Sequence, residues 1–146
     1  MIDLIHASII VDKSLAQGRT LELPPLTVAV LDAHGCLVCF KREDGSSLLR
    51  PEIAQAKAWG ALGMGVGTRA LAQRAAVQPS FVSAVNTLAG GRIIPVPGGV
   101  LIRGGKAIIG AVGITGAASD QDEACAVYGI EAAGFAADTG AEPAIK

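Results

Sequence analysis

Aromatic side chains and charges are both scarce in this 146-residue sequence. One Trp, one Tyr and three Phe make up 3% of it, and 17% of the residues are charged, with a formal net charge of -1. No run of basic residues occurs, so the sequence lacks the electrostatic signature of a nucleic-acid-binding protein. Hydrophobic residues reach 51%, too many for a disordered chain, and we expect one domain that associates with copies of itself.

Cysteines and targeting signals are equally limited. Three cysteines, an odd number, do not form a closed disulfide framework, and we expect reduced thiols. The first ten residues, MIDLIHASII, have an acid where a secretory signal has positive charge, and the most apolar later run is interrupted by Arg103 and Lys106. These features predict a cytoplasmic protein that does not enter a membrane.

The spacing of apolar residues predicts helices that alternate with β-hairpins. Thr68 and Ser119 are expected to cap the helices that follow them. Because both pairs of strands form hairpins, residues 1–146 are expected to form a single α+β domain, with a central antiparallel sheet and helices packed around it. Helices are predicted over 3–17, 51–64, 68–76, 79–88 and 121–137, and strands over 26–31, 36–41, 100–103 and 106–115.

Glycine is concentrated in the stretch from Ile93 to Gly116, IIPVPGGVLIRGGKAIIGAVGITG, which nevertheless has the composition of strands. Gly104 and Gly105 are expected to form the two-residue loop of the second hairpin. Glycine inside a strand weakens it, and repeated glycine indicates that a helix or a ligand approaches the backbone closely. Gly113 and the pair Gly98 and Gly99 are therefore candidates for such an approach.

Few other residues suggest chemistry. Cys36 and Cys39 form C-x-x-C, but residues three apart on a strand point to opposite faces, so no joint metal site is expected. His34, in a hairpin turn, is either a solvated side chain or an axial ligand, and the same alternatives apply to His6. Lys57 lies among small and apolar residues of a predicted helix, where its amine is either partly desolvated, with a shifted pKa, or paired with Asp44.

Five separated blocks of the sequence occur in an order known from one protein family. The blocks lie between residues 28 and 132: VAVLDAHGCLVCFKREDG, AQAKAWGAL, GTRAL, VPGGVLIRGGKAIIGAVGITGA and DQDEACAVYGIEA. They resemble the GlcG/HbpS-like family, also known as the haem-degrading or DUF336 family, and the C-terminal domain of PduO-type proteins. The resemblance implies a profilin-like α+β domain that forms homo-oligomers. It also implies that haem or a corrinoid is the ligand, as in some relatives, or that the protein takes part in small-molecule catabolism, as in others.

The candidate site is the space between Lys57, Thr68, the Gly98-Gly99 pair and the segment from Arg42 to Asp44, with Gly113 beside it. Three functions fit this site. The first is a domain that binds haem or a corrinoid through Arg42, Thr68 and the glycines. The second is a cofactor-independent isomerase, lyase or proton-transfer enzyme, in which Arg42 or Lys57 holds a small anionic metabolite and Asp44 or Lys57 moves a proton. The third is a structural or regulatory oligomer.

Overall fold

The computed structural model describes residues 1–142, which form an α+β domain of five helices and five strands. The strands make one antiparallel sheet in the order β2-β1-β4-β3-β5. The predicted fold class is confirmed. In chain order the elements are α1 Leu4–Thr20, β1 Thr27–Asp32, β2 Leu37–Arg42, α2 Arg50–Met64, α3 Thr68–Val77, α4 Pro79–Leu88, β3 Gly99–Gly104, β4 Ala107–Thr115, α5 Ser119–Ala132 and β5 Ala136–Asp138.

Local signals explain where the first two helices begin and end. Asp3 caps α1, because its carboxylate accepts a hydrogen bond from the amide of His6 at 2.9 Å. Pro51 lies in the first turn of α2, where a missing amide hydrogen costs nothing. Gly65 ends α2 in the left-handed conformation, with φ of 70°.

The two faces of the sheet are covered by different helices. Helices α1 and α5 pack on one face, over a core that includes Val28, Val30, Val112 and Ile114. Helix α2 packs on the other face, over Leu31, Leu101 and Ala111, through its own buried alanines. Within residues 1–142, no helix has both the length and the apolar character needed to cross a bilayer.

The C-terminal part differs from the sequence prediction. The last helix was expected to reach Ala137, but it ends at Ala132, and Gly134 with φ of 89° turns the chain back. The residues that follow form β5, which pairs with β3, so that Ile102 lies opposite Ala137. The spacing of apolar residues here is helical, but the segment forms a strand because the backbone groups at the edge of β3 need hydrogen-bond partners.

The second hairpin and two helix caps are also corrected. The register shifts between Ile102 and Arg103, so Gly104 pairs with Ala107 and the loop is Gly105-Lys106, one residue later than predicted. The predicted caps at Thr68 and Ser119 are wrong, because each of them is the first residue of its helix. The capping positions are Gly67 and Ala118, which provide no side-chain acceptor.

Candidate functional site

Lys57 lies in the interface between α2 and the sheet, and its amine is enclosed. The Nζ atom donates to the Ile114 carbonyl oxygen at 2.9 Å and to Oδ2 of Asp122 at 3.3 Å. The two side chains are 3% and 1% exposed. The other carboxylate oxygen, Oδ1 of Asp122, accepts from the Ala117 amide at 3.0 Å. One buried ion pair thereby ties α2 to β4 and to the start of α5.

Burial dominates the electrostatics of this pair. Removal from water lowers the pKa of Lys57 and raises the pKa of Asp122, and the mutual attraction of the two charges opposes both shifts. The predicted partner Asp44 is wrong, because Lys57 pairs with Asp122. The sequence signals for Asp122 were its spacing from Ser119, which resembles a capping box, and its position in the block DQDEACAVYGIEA.

The glycines expected to make room for a helix or a ligand make room for α2. A Cβ atom at Gly113 would lie 1.8 Å from the Ala54 carbonyl oxygen, and one at Gly99 would lie 2.3 Å from the Lys57 carbonyl oxygen. At Gly98, with φ of 120°, it would lie 2.7 Å from Nζ of Lys57. The close approach was predicted correctly, and the approaching group is a helix.

Thr68 belongs to the same packed interface. Its Oγ1 accepts from the Gly99 amide at 2.8 Å and donates to the Gly99 carbonyl oxygen at 3.3 Å. The side chain is fully buried, so it fastens the start of α3 to the edge of β3. The structure therefore brings Lys57, Thr68 and the three glycines together, with the protein's own atoms filling the space between them.

Arg42 and Asp44 line a different region, which we name the Arg42 cleft. It has a volume of about 450 Å³, and its walls are Arg19, Pro25, Arg42, Glu43 and Asp44. Arg19 forms an ion pair with Glu43 at 3.1 Å, and Arg42 donates to the Ser46 carbonyl oxygen. Roles for Arg42 and Asp44 in binding and catalysis stay predictions, and they no longer share one site with Lys57.

A second cleft, which sequence reasoning missed, is lined by α2, the β1–β2 hairpin and Arg92. We name it the Trp59 cleft. It has a volume of about 350 Å³ and continues into a hollow of about 170 Å³ that shares Glu52, Ala56 and Arg92 with it. The only sequence signal was the single tryptophan. The cleft is lined by Leu31, Gly35, Leu37, Glu52, Gln55, Ala56, Trp59 and Arg92.

An arginine covers the tryptophan of this cleft. The central guanidinium carbon of Arg92 lies 3.7 Å from the centroid of the Trp59 ring, which is a cation–π contact. Leu37, on β2, is 49% exposed beside it. The cleft thus combines an aromatic plane, aliphatic walls and one cation, together with the carboxylate of Glu52.

Two residues whose side chains can bind iron are the sequence neighbours of Gly35, which lines this cleft. His34 and Cys36 are both exposed, and they stand on either side of Gly35, which lines the cleft. His6 lies elsewhere, with Nδ1 at 2.7 Å from the capping carboxylate of Asp3. Within residues 1–142, no group of three or more His, Cys, Asp or Glu side chains is arranged to hold a metal ion.

Known structures share this architecture. The crystal structure of PduOC in complex with haem matches with a TM-score of 0.83 at 24% identity, over 92% of this chain and 96% of that one. The Klebsiella pneumoniae protein ORFY of the DUF336 family matches with a TM-score of 0.82 at 25% identity, over 90% of each chain. HbpS matches with a TM-score of 0.77 at 24% identity, over 89% of this chain and 88% of that one.

The sequence comparisons agree with the structural ones. The corrinoid adenosyltransferase PduO of Salmonella typhimurium is 30% identical over 99 residues, which are 67% of this chain and 29% of that protein. The chain therefore spans less than a third of that relative. A family model described as haem degrading protein HbpS-like matches residues 2–131. With all five helices inside or overlapping the matched range, this chain belongs to the HbpS-like family.

Proposed function

We propose that this protein binds haem, or a closely related planar tetrapyrrole, in the Trp59 cleft. The observation that carries the proposal is the cleft itself, in which an indole ring and aliphatic walls lie beside a cation that makes no ion pair with any carboxylate of residues 1–142. A tetrapyrrole needs apolar contact for its ring and a cation for its carboxylates. Family membership supports the same ligand class, because PduOC is known as a haem complex.

The residues present fit such a group. Trp59, Leu31 and Leu37 provide apolar contact, and the guanidinium of Arg92 matches a propionate carboxylate in shape and charge. His34 and Cys36, next to the cleft, are candidates for an axial ligand. Bound haem would supply an iron centre whose reactivity depends on that ligand and on the polarity around it. A cleft of about 350 Å³ encloses only part of a macrocycle, so a second subunit would cover the rest.

The guanidinium of Arg92 in the cleft favours haem over a corrinoid. The side chains of a corrinoid are mostly neutral amides, whereas haem carries two carboxylates that a guanidinium can bind. The similarity to a corrinoid adenosyltransferase covers 29% of that protein and supports a corrinoid less directly. Parallel titrations with haemin and hydroxocobalamin separate the two ligands.

A haemin titration tests the proposal. We expect a sharpened Soret band that saturates at one equivalent per subunit, together with quenching of the fluorescence of the single tryptophan. Replacing Trp59 with Leu should weaken binding roughly two- to tenfold through loss of ring stacking. Tyr128→Leu, which removes an exposed aromatic ring from α5, is the matched control and should bind haemin normally. Broad uptake without a stoichiometric end point would reject the proposal.

The axial ligand is identified with two further variants. His34→Ala and Cys36→Ser remove the two candidate donors beside the cleft, and we expect one of them to shift the Soret band while the other leaves it in place. If neither variant shifts the band, the axial ligand is another residue.

A cofactor-independent enzyme is supported less well. The amine of Lys57 is held by Ile114 and Asp122 and lies under α2, so it would reach a substrate only after α2 had moved away from β4. The catalytic roles of Lys57 and Asp44 stay predictions without a shared cavity to join them.

A further inference from the structure

We propose that Arg92 is a displaceable cover on Trp59. A planar conjugated ring takes the place of the guanidinium on the indole, and the displaced guanidinium then binds a carboxylate of that ring's substituents. The inference rests on the proposed function, because it uses the same cleft. It adds that Arg92 determines specificity. It also names the ligand class, which is planar rings that carry a carboxylate, preferred over neutral rings of the same size.

The guanidinium now stands where a stacked ligand would stand. Its central carbon lies 3.7 Å from the ring centroid, well within the limit of about 6 Å for a cation–π contact. Trp59 is half-buried against the core between α2 and the sheet, and its ring is near Gly35, where a Cβ atom would be 3.4 Å from Cδ1. Arg92 therefore covers the ring face that borders the cleft, and a planar ligand must displace it.

Little holds Arg92 in this position. Its Nε atom donates to the Ala89 carbonyl oxygen at 3.2 Å, and it makes no ion pair with any carboxylate of residues 1–142. A cation–π contact at an exposed site favours the covered state only roughly two- to fivefold. Burial of a conjugated ring on Trp59 outweighs that preference.

The side chain can move without the backbone. The next residue, Ile93, is 3% exposed, and its amide donates to Oδ1 of Asn86 at 2.9 Å, which anchors the chain immediately after Arg92. Gly90 and Gly91 precede it with open space around them, so no side chain there blocks its rotation. Rotation about the side-chain bonds of Arg92 is sufficient to uncover the indole.

Glu52 makes the choice of ligand depend on Arg92. Its side chain lines both the Trp59 cleft and the adjoining hollow, as Arg92 does. A carboxylate that enters the cleft is repelled by Glu52 and attracted by Arg92, so without Arg92 the cleft would favour neutral rings.

The test follows the indole N–H resonance of the only tryptophan, which reports on Trp59 alone. The probes are 2-naphthoate and 2-naphthylmethanol, which share one ring system and differ in the carboxylate. In the unaltered protein we expect both to shift the resonance, with 2-naphthoate bound about tenfold more tightly. In Arg92→Ala we expect the affinity for 2-naphthoate to fall about tenfold and the affinity for 2-naphthylmethanol to rise roughly two- to fivefold.

Two further variants separate covering from charge. Arg92→Lys retains the cation without the planar group, so it should keep the preference for naphthoate. Arg74→Ala is the matched control, because Arg74 covers Phe81 at 4.2 Å on another part of the molecule and its loss removes the same charge. It should leave both affinities unchanged.

The outcomes distinguish this inference from the proposed function. An unchanged naphthoate preference in Arg92→Ala, or no shift of the indole resonance with either probe, would overturn the role of Arg92 even if haemin saturates at one equivalent. If haemin fails to bind but the naphthoate preference depends on Arg92, the cover is established and the haem proposal is rejected.

Discussion

A lysine amine with 3% exposure needs an acid beside it, and Lys57 has Asp122. The pair lies in a packed interface, where neither charge keeps its hydration. Removal of one partner leaves the other charged and uncompensated, whereas replacement of both by apolar groups is tolerated. Lys57 thus links α2 to β4 and α5 in the observed fold, and its catalytic role stays a prediction.

Lys57→Met should lower the free energy of unfolding by about 3–5 kcal/mol, because Asp122 then remains buried without a counter-charge. The double variant Lys57→Met with Asp122→Leu should recover most of that loss. Urea denaturation of the single and double variants measures both effects. Lys41→Met, which breaks an exposed pair with Asp12, should change stability little. A loss in Lys57→Met no greater than this control would contradict the interpretation.

The thiol of Cys125 predicts a pH dependence of stability. Burial raises its pKa from 9.0 to about 11. Between these values the unfolded chain loses the proton and the folded protein keeps it, so stability falls as the pH rises. We expect up to about 2 kcal/mol of the unfolding free energy to be lost across this range.

Comparison with Cys125→Ala isolates this contribution, because all other titrating groups are common to both proteins. The difference in unfolding free energy between the two proteins, measured by urea denaturation at pH 9 and pH 11, should shrink as the pH rises. A constant difference would show that the thiol ionises equally in the folded and unfolded states.

At the scale of elements, the closest contact is that of α2 with the central strands. The contact depends on glycine in the sheet and on alanine in the helix, since Gly113 lies directly below the backbone of Ala54. Small residues on both sides let the two backbones approach and bury the amine of Lys57 between them. The glycine-rich stretch therefore determines the depth at which α2 lies.

Gly113→Ala should be severely destabilising, by about 3 kcal/mol or more, because the added methyl group overlaps the Ala54 carbonyl and a well-packed core cannot yield. Gly63→Ala is the matched control. Gly63 lies within α2 with open space around it. Alanine there should raise the free energy of unfolding by about 0.5–1 kcal/mol, because its helix propensity is higher. Thermal denaturation of both variants checks the prediction, and a tolerated alanine at position 113 would contradict the packing.

At the scale of the whole molecule, α4 is only partly covered. It contacts α3 and no other helix or strand of residues 1–142. Its sequence PSFVSAVNTL has no charged residue, and Leu88 is 89% exposed. Apolar side chains continue along the α3–α4 surface through Val77 and Phe81. An apolar surface of this kind, on which Arg74 of α3 is the cation over Phe81, suits contact between identical subunits, and it supports the expected homo-oligomer.

We expect the protein to form a dimer or larger oligomer, measured by light scattering after size exclusion. The variant Leu88→Glu should dissociate it, because one carboxylate per subunit would be buried in the interface without a partner. Leu21→Glu, at the end of α1, adds charge to another exposed leucine and should leave the mass unchanged. A monomeric parent protein at micromolar concentration would contradict the prediction.

Local pattern predicted much of the fold. The helices α2, α3 and α4 and both hairpins were located from periodicity, proline and glycine, with ends that moved by a few residues. The exception was β5, whose local composition is helical and whose strand pairing with β3 is a long-range contact. The candidate site was predicted only in part, because Arg42 and Asp44 lie in a cleft apart from Lys57.

Sequence alone determined the types of all elements except β5, the antiparallel α+β class, the family blocks and the close approach at Gly113. Tertiary structure alone decided that the approaching group is a helix, that Lys57 meets Asp122 across 65 residues, and that Arg92 covers Trp59. The physical reason is that periodicity specifies which face of an element is apolar. Which distant group then meets that face depends on how all the elements pack, and packing is a property of the complete fold.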